Sequence, residues 1–190
     1  ITTCVRTGGG ASEDDHRGMT TLLRRNVVRV QGKIHLKFVG KSGIKHCIHV
    51  KDRRSQEFLK AQTSKPGTKS DRLFGESASR LNGYVKDTFG KDFTCKDIRT
   101  CQANIRMVET LRRSQGLAPK QAIAEASKAA ADLLGHTVAI SKKNYVCEGI
   151  SAAFLRDPKK FHSSRDTHAV LKHCLKAVSY THLTLPTKRI

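Results

Sequence analysis

The chain has 190 residues, with 36 Lys and Arg against 16 Asp and Glu, a formal net charge of +20 and a pI near 10.1. That length builds one domain with a real core, or one domain and a small appendage, and so large a positive excess points to a polyanion partner, nucleic acid first and an anionic membrane second. No stretch approaches the roughly 18 apolar residues that span a bilayer, and an aromatic share of 5% with no Trp argues against a stacking platform for single strands while leaving grip on a duplex backbone open.

Residues 1–20 open with apolar residues and pass through a glycine and acidic loop, "TGGGASEDDHRG"; without an initiator Met, the start reads as a truncated helix. From Val27 to Val50 the string "VVRVQGKIHLKFVGKSGIKHCIHV" alternates apolar and polar residues, punctuated at Gln31-Gly32 and between Gly40 and Gly43. This predicts a three-stranded antiparallel sheet with "GKSG" at the tip of its second hairpin. The pattern is helical from there on. "RSQEFLKAQ" is one helix, ended by "SKPGTKSD", and a second runs from about Ser77 to Phe89 and stops at Gly90. A third begins after Thr94, a good N-cap, with Ile98, Cys101, Ile105 and Val108 at helical spacing. A fourth opens on Pro119, carries Ala122, Ile123, Ala126, Ala130 and Leu133, and stops at Gly135. A fifth holds Tyr145, and a last runs from about Arg165 to Leu175. The expected architecture is α+β: a mostly helical body with a small three-stranded antiparallel sheet.

Six cysteines (Cys4, Cys47, Cys95, Cys101, Cys147, Cys174) show no CxxC pairing, and no His cluster completes a zinc set. They read as free thiols in a reducing compartment. The tail "VSYTHLTLPT" has no periodicity that continues the preceding helix, and a transposon end with its library adapter would encode it. Residues 1–176 are therefore read as the domain and 177–190 as a non-native tail, which sets aside Tyr180 and His182.

The chain has no DxD-type carboxylate cluster, Walker loop or HExxH motif. Phosphodiester chemistry without those parts needs a nucleophile, cations on the developing charge, and an acid for the leaving alcohol. Arg, Lys, His and Tyr can supply them, and they occur in order: Arg6 in "CVRTG", Lys41 in "LKFVGKSGIKH", Arg99 in "FTCKDIRT", then His136 and Tyr145 in "LGHTVAISKKNYV".

In these motifs, and in "TTLLRRNVVRVQG" and "LFGESASRLNGYVKDTFGKDFTCKDIRT", residues 1–160 resemble the type IB DNA topoisomerases, in texture nearest to the compact enzymes of poxviruses, other large DNA viruses and some bacteria. The resemblance implies a DNA topoisomerase that relaxes supercoils without ATP or metal. Tyr145 would attack a backbone phosphorus and form a 3′-phosphotyrosyl link, releasing a 5′-hydroxyl strand. Arg6 and Arg99 would hold the non-bridging oxygens, His136 would donate to one of them, and Lys41 would protonate the leaving 5′-oxygen. It implies double-stranded DNA as partner, no cofactor, no membrane, a monomer, and an intracellular place beside DNA, in nucleus, nucleoid or viral core. Lys45, His46, Lys142 and Lys143 are candidate DNA contacts.

Singly, each residue has an ordinary explanation: a solvated arginine, a turn lysine, a half-buried tyrosine. Tyr84 reads as a core residue of its helix, and His35, His46 and His49 as strand residues at the surface or on phosphate. The chain departs from the family pattern in two places. Gly9 stands where Asn is expected after the first arginine, and the β-rich domain that the family places upstream is not in this chain. A tyrosine recombinase is the alternative enzyme, although Lys96 stands where recombinases carry the His of His-x-x-Arg. A non-catalytic DNA-binding module would account for the charge alone.

Overall fold

The computed structural model describes residues 5–8 and 16–181, with residue 42 and residues 175–181 through their backbone alone. The expected helical start, the Gly9 departure and the tail from 182 lie outside the described residues. The chain folds as two units, Ile1–Ile98 and Arg99–Ile190.

In the first unit, β1 (Val27–Val30), β2 (Lys33–Val39) and β3 (Lys45–His49) form the expected antiparallel sheet in the order β1-β2-β3. The register pairs Val28 with His35, and Leu36 with Ile48. Alternation in β2 places Ile34, Leu36 and Phe38 on one face, where they join Leu22, Val50, Leu59 and Leu73 in the core. Burying each such side chain contributes about 1.5–3 kcal/mol. The opposite face carries His35 and His49, stacked with ring centroids 5.0 Å apart.

Helix α1 (Arg53–Ser64) is capped by Asp52, whose Oδ2 accepts the Ser55 N–H at 2.7 Å, and places Leu59 in the core. Helix α2 (Ala78–Phe89) starts at Ser77 and ends on Gly90 at φ +115°, as expected. Its core residue is Val85, however; Tyr84, expected inside, is 64% exposed. One position along a helix turns a side chain about 100°, so the two cannot share a face.

Helix α3 (Cys95–Arg112) spans the division between the units. In the second unit it is followed by α4 (Pro119–Leu134), α5 (Val138–Asn144), α6 (Glu148–Arg156), α7 (Pro158–Ser163) and α8 (Thr167–Thr181). Helices α6 and α7 were not anticipated, and α8 runs past the expected end at Leu175. The core joins Met107, Val108 and Leu111 of α3 to an alanine face on α4 (Ala122, Ala126, Ala130, Ala131). Ile150 and Phe154 of α6, Phe161 of α7 and Leu171 of α8 complete it, Phe154 and Phe161 meeting edge to face. The small residues of α4 permit close helix approach. Arg112 Nε donates to Ser164 O at 2.9 Å, tying the end of α3 to the α7–α8 loop.

No helix among the described residues is long and apolar enough to cross a membrane. Cys47, Cys95, Cys101, Cys147 and Cys174 are free thiols, as expected.

Candidate active site

The second unit gathers three of the five expected residues. Arg99 lies on the buried face of α3 with Ala103, Met107 and Leu111, spaced by four, and is 6% exposed. Of the expected apolar face of this helix only Val108 is buried: Cys101 is exposed, and Ile98 and Ile105 are only partly buried. The start of α3 is secured by Thr94, whose N–H and hydroxyl both donate to Asp97 Oδ2, at 2.8 and 2.6 Å. Those bonds, the Thr94 side chain's first, hold the Asp97 carboxyl below its ordinary range.

The segment "LGHT" turns the chain between two helices. Gly135 takes the left-handed conformation (φ 65°, ψ 48°) that ends α4, and the His136 N–H returns to Ala131 O at 3.0 Å. Thr137 then caps α5, its hydroxyl oxygen accepting from the Ile140 N–H at 3.3 Å. His136 is thus set between two rigid helices and faces Arg99, whose Nη2 lies 3.0 Å from His136 Nε2 and also donates to Leu134 O at 3.2 Å. Since a guanidinium only donates, Nε2 is the acceptor here and the ring proton sits on Nδ1.

Tyr145 is not inside the fifth helix as expected. It is the C-cap of α5, with φ −136° and ψ −30°, its N–H donating to Ser141 O at 2.9 Å. Leaving the helix swings its ring onto His136, with centroids 5.2 Å apart and planes 20° from parallel. The Arg99 guanidinium carbon stands 5.6 Å from the same ring's centroid, within cation–π range. Tyr145 is 9% exposed.

One residue of this cluster escaped the sequence reading. Asn104 of α3 donates through Nδ2 to Tyr145 O at 2.8 Å and to Thr100 O at 2.7 Å, and its Oδ1 accepts the Cys147 N–H at 2.8 Å. A single buried amide thereby fixes the backbone on both sides of Val146 to the helix that carries Arg99. Two of its three partners are main-chain atoms 41 and 43 residues away, which no local pattern marks.

The remaining expected residues lie elsewhere. Lys142 and Lys143 are exposed in the last turn of α5, where the helix dipole favours cations. In the first unit, Lys41 is exposed in a 3-10 turn, Lys41–Gly43, that joins β2 to β3, with Gly40 N–H bonded to Ile44 O at 2.7 Å. Lys45 begins β3 beside it and is exposed. His46 stacks on Phe38 at 4.8 Å and lies so close to Gly40 that a Cβ there would fall 2.6 Å from its Nε2. The ring therefore buttresses the base of the Lys41 turn. Arg6 is exposed on a segment laid against Gly18, Met19 and Thr20: the Met19 N–H donates to Arg6 O at 2.7 Å and the Thr20 N–H to Thr7 O at 2.8 Å.

Among the described residues, no group of three or more His, Cys, Asp or Glu could hold a metal ion. The chemistry the second unit offers is that of a buried, permanently charged guanidinium, an imidazole and a phenol in mutual contact. Such a set suits an anion that passes through a more highly charged transition state.

The family described as the eukaryotic DNA topoisomerase I catalytic core matches residues 2–169 of the chain. The "DNA topoisomerase 1B" of Acanthamoeba polyphaga mimivirus is 30% identical over 191 residues, covering 88% of this chain and 56% of its own. The "DNA topoisomerase 1" of rabbit fibroma virus is 28% identical over 161 residues, with coverages of 81% and 50%. The "DNA topoisomerase 1B" of vaccinia virus is 28% identical over 148 residues, with coverages of 73% and 45%. The chain therefore spans about half the length of the relatives it matches.

Proposed function

The chain belongs to the family of the eukaryotic DNA topoisomerase I catalytic core, and we propose that it cleaves and rejoins one strand of duplex DNA through a covalent bond to Tyr145. The observation that carries this reading is the contact of Arg99 and His136 with the ring of Tyr145 in one buried cluster. The Tyr145 hydroxyl gives up its proton to water and its oxygen attacks phosphorus as the P–O5′ bond breaks, giving a 3′-phosphotyrosyl link and a free 5′-hydroxyl. The adjacent guanidinium binds the non-bridging oxygens, which its planar fork matches. His136 donates to one of those oxygens once a proton resides on Nε2, the atom that now accepts from Arg99. Lys41 protonates the departing 5′-oxygen and Arg6 supplies a second cation. The phosphotyrosyl bond retains the energy of the bond it replaces, so rejoining uses no ATP, and no step is assigned to a metal. Between the two steps the cut strand swivels and torsional strain relaxes, for which a monomer suffices. The chain acts wherever its DNA resides within a cell or virion.

The test is a covalent-adduct assay on duplex DNA in chelator, with Tyr145→Phe beside the parent chain. Adduct should vanish in the variant while non-covalent DNA affinity stays the same. Adduct that persists, or that maps to the exposed Tyr84, would overturn the assignment.

A further inference from the structure

The first unit holds a second concave site, unrelated to any residue assigned above. It is a cleft of about 470 Å³ between β1 and the C-terminal end of α1, closed by the loop that follows α1. That volume falls within the roughly 300–1,000 Å³ of small-ligand sites. Arg24, Arg25, Arg29, Lys60 and Lys69 line it, and no carboxylate does. Arg24 has the Asp71 carboxylate beside it, and the like charges of Arg29, Lys60 and Lys69 around one concavity concentrate anions. Its apolar lining comes from Val27 and Ile34, which share the core face of the sheet.

The wall is built in advance of any ligand. Arg24 Nη1 donates to Lys65 O at 2.7 Å and Pro66 O at 3.2 Å, so this arginine holds the loop. The N–H groups of Arg24 and Arg25 donate to Asp71 O and Lys69 O, each at 2.9 Å. Asp71 sits behind the wall and accepts the Thr68 N–H and hydroxyl, both at 2.8 Å. Gly67, at φ +141°, lies where a Cβ would fall 2.2 Å from Asp71 Oδ2 and 2.8 Å from Arg24 Nη1. The loop therefore keeps its shape, and its Lys69 lines the cleft together with Arg29 and Lys60.

We propose that this cleft binds a nucleotide, its phosphate among Arg25, Arg29, Lys60 and Lys69 and its sugar and base against the valine and isoleucine lining. Inorganic phosphate would leave that lining wet, and an apolar molecule would leave the cations unused. The nucleotide comes either free from solution or as an unpaired residue of a DNA strand, and both present the same chemistry.

Isothermal titration of the full chain with thymidine monophosphate, inorganic phosphate and a short oligothymidylate tests this, alongside Arg29→Glu and Lys60→Glu. Both side chains are exposed, and unchanged melting temperatures confirm that the variants fold. The expected result is one mononucleotide per chain, bound more tightly than inorganic phosphate and weakened about tenfold or more by either substitution. An oligonucleotide that binds no better than the mononucleotide identifies the free source. One that binds about tenfold better, with the same loss in both variants, identifies the strand. The proposal fails if phosphate binds as well as the mononucleotide, or if the substitutions leave nucleotide binding unchanged. It also fails if neither nucleotide binds while duplex affinity drops, which would make these cations a backbone contact.

Discussion

Replacing Asn104 with alanine tests how the proposed nucleophile is held. The side chain makes three hydrogen bonds, to Tyr145 O, Cys147 N–H and Thr100 O, at 2.7–2.8 Å. Thr100 O belongs to a helix and retains other partners in its ladder, so its loss is the least of the three. Tyr145 O and the Cys147 N–H each lose the Asn104 side chain as a partner, and a buried group left unsatisfied costs about 1–3 kcal/mol. The expected destabilisation is therefore about 2–4 kcal/mol, less whatever water recovers at the part-buried Cys147 N–H. Catalysis should suffer separately. With both backbone anchors gone, the Tyr145 ring is free to drift from His136 and Arg99, and a displacement near 1 Å costs on the order of a hundredfold in rate. Single-turnover cleavage with saturating enzyme, at a temperature where urea titration shows the variant folded, isolates this effect. DNA affinity should be unchanged, because Asn104 is 6% exposed. Cleavage at the parental rate by a folded Asn104→Ala chain would refute the argument, as would a loss that tracks the unfolded fraction alone.

Other consequences follow from the first unit. Lys41→Ala should slow cleavage by about 10²–10⁴-fold, as loss of a positioned acid does, and a substrate with a 5′-thiolate leaving group should recover most of it; equal slowing on both substrates would make Lys41 only a phosphate contact. At Gly18 a Cβ would lie 2.4 Å from Gly8 N and 2.8 Å from Arg6 O, both backbone atoms. Gly18→Ala should therefore cost about 1–3 kcal/mol in urea unfolding and disturb the Arg6 segment, and an unchanged midpoint would show that the approach is looser. Asp97, with its carboxyl held low by Thr94, contributes stability above the unfolded-state pKa of about 3.9 and loses it as pH falls through the lower folded value. The stability difference between the parent chain and Asp97→Asn should thus shrink between about pH 5 and pH 2, and a difference constant over that range would refute the assignment.

What the sequence disclosed and what it hid divide along a physical line. The sheet was legible because β2 buries Ile34, Leu36 and Phe38 on one face, an alternation that only a strand produces. Helix α4 was legible from Pro119 at its first turn and Gly135 at its left-handed stop. The break between α6 and α7 carried a signal of the same kind, Asp157 capping and Pro158 opening the next helix, and it could have been read from "LRDPKK". Tyr145, expected within the fifth helix, lies at its C-cap instead. No local pattern marks the point where the chain leaves the helix, and the residue that holds the backbone there, Asn104, is 41 residues away.

Helix α3 is the instructive failure. Hydrophobic periodicity points to Ile98, Cys101, Ile105 and Val108; of these Val108 is buried, while the buried face also includes Arg99 and Asn104. Apolar spacing locates a core face only when everything buried is apolar. Here two polar side chains occupy that face, where burial without partners would cost several kcal/mol each. Both have partners, and those partners are His136, Leu134 O and the backbone around Tyr145. The face looked wrong because it supports a site rather than a core alone, so a helix whose apolar spacing and burial disagree is itself a marker for where chemistry is placed.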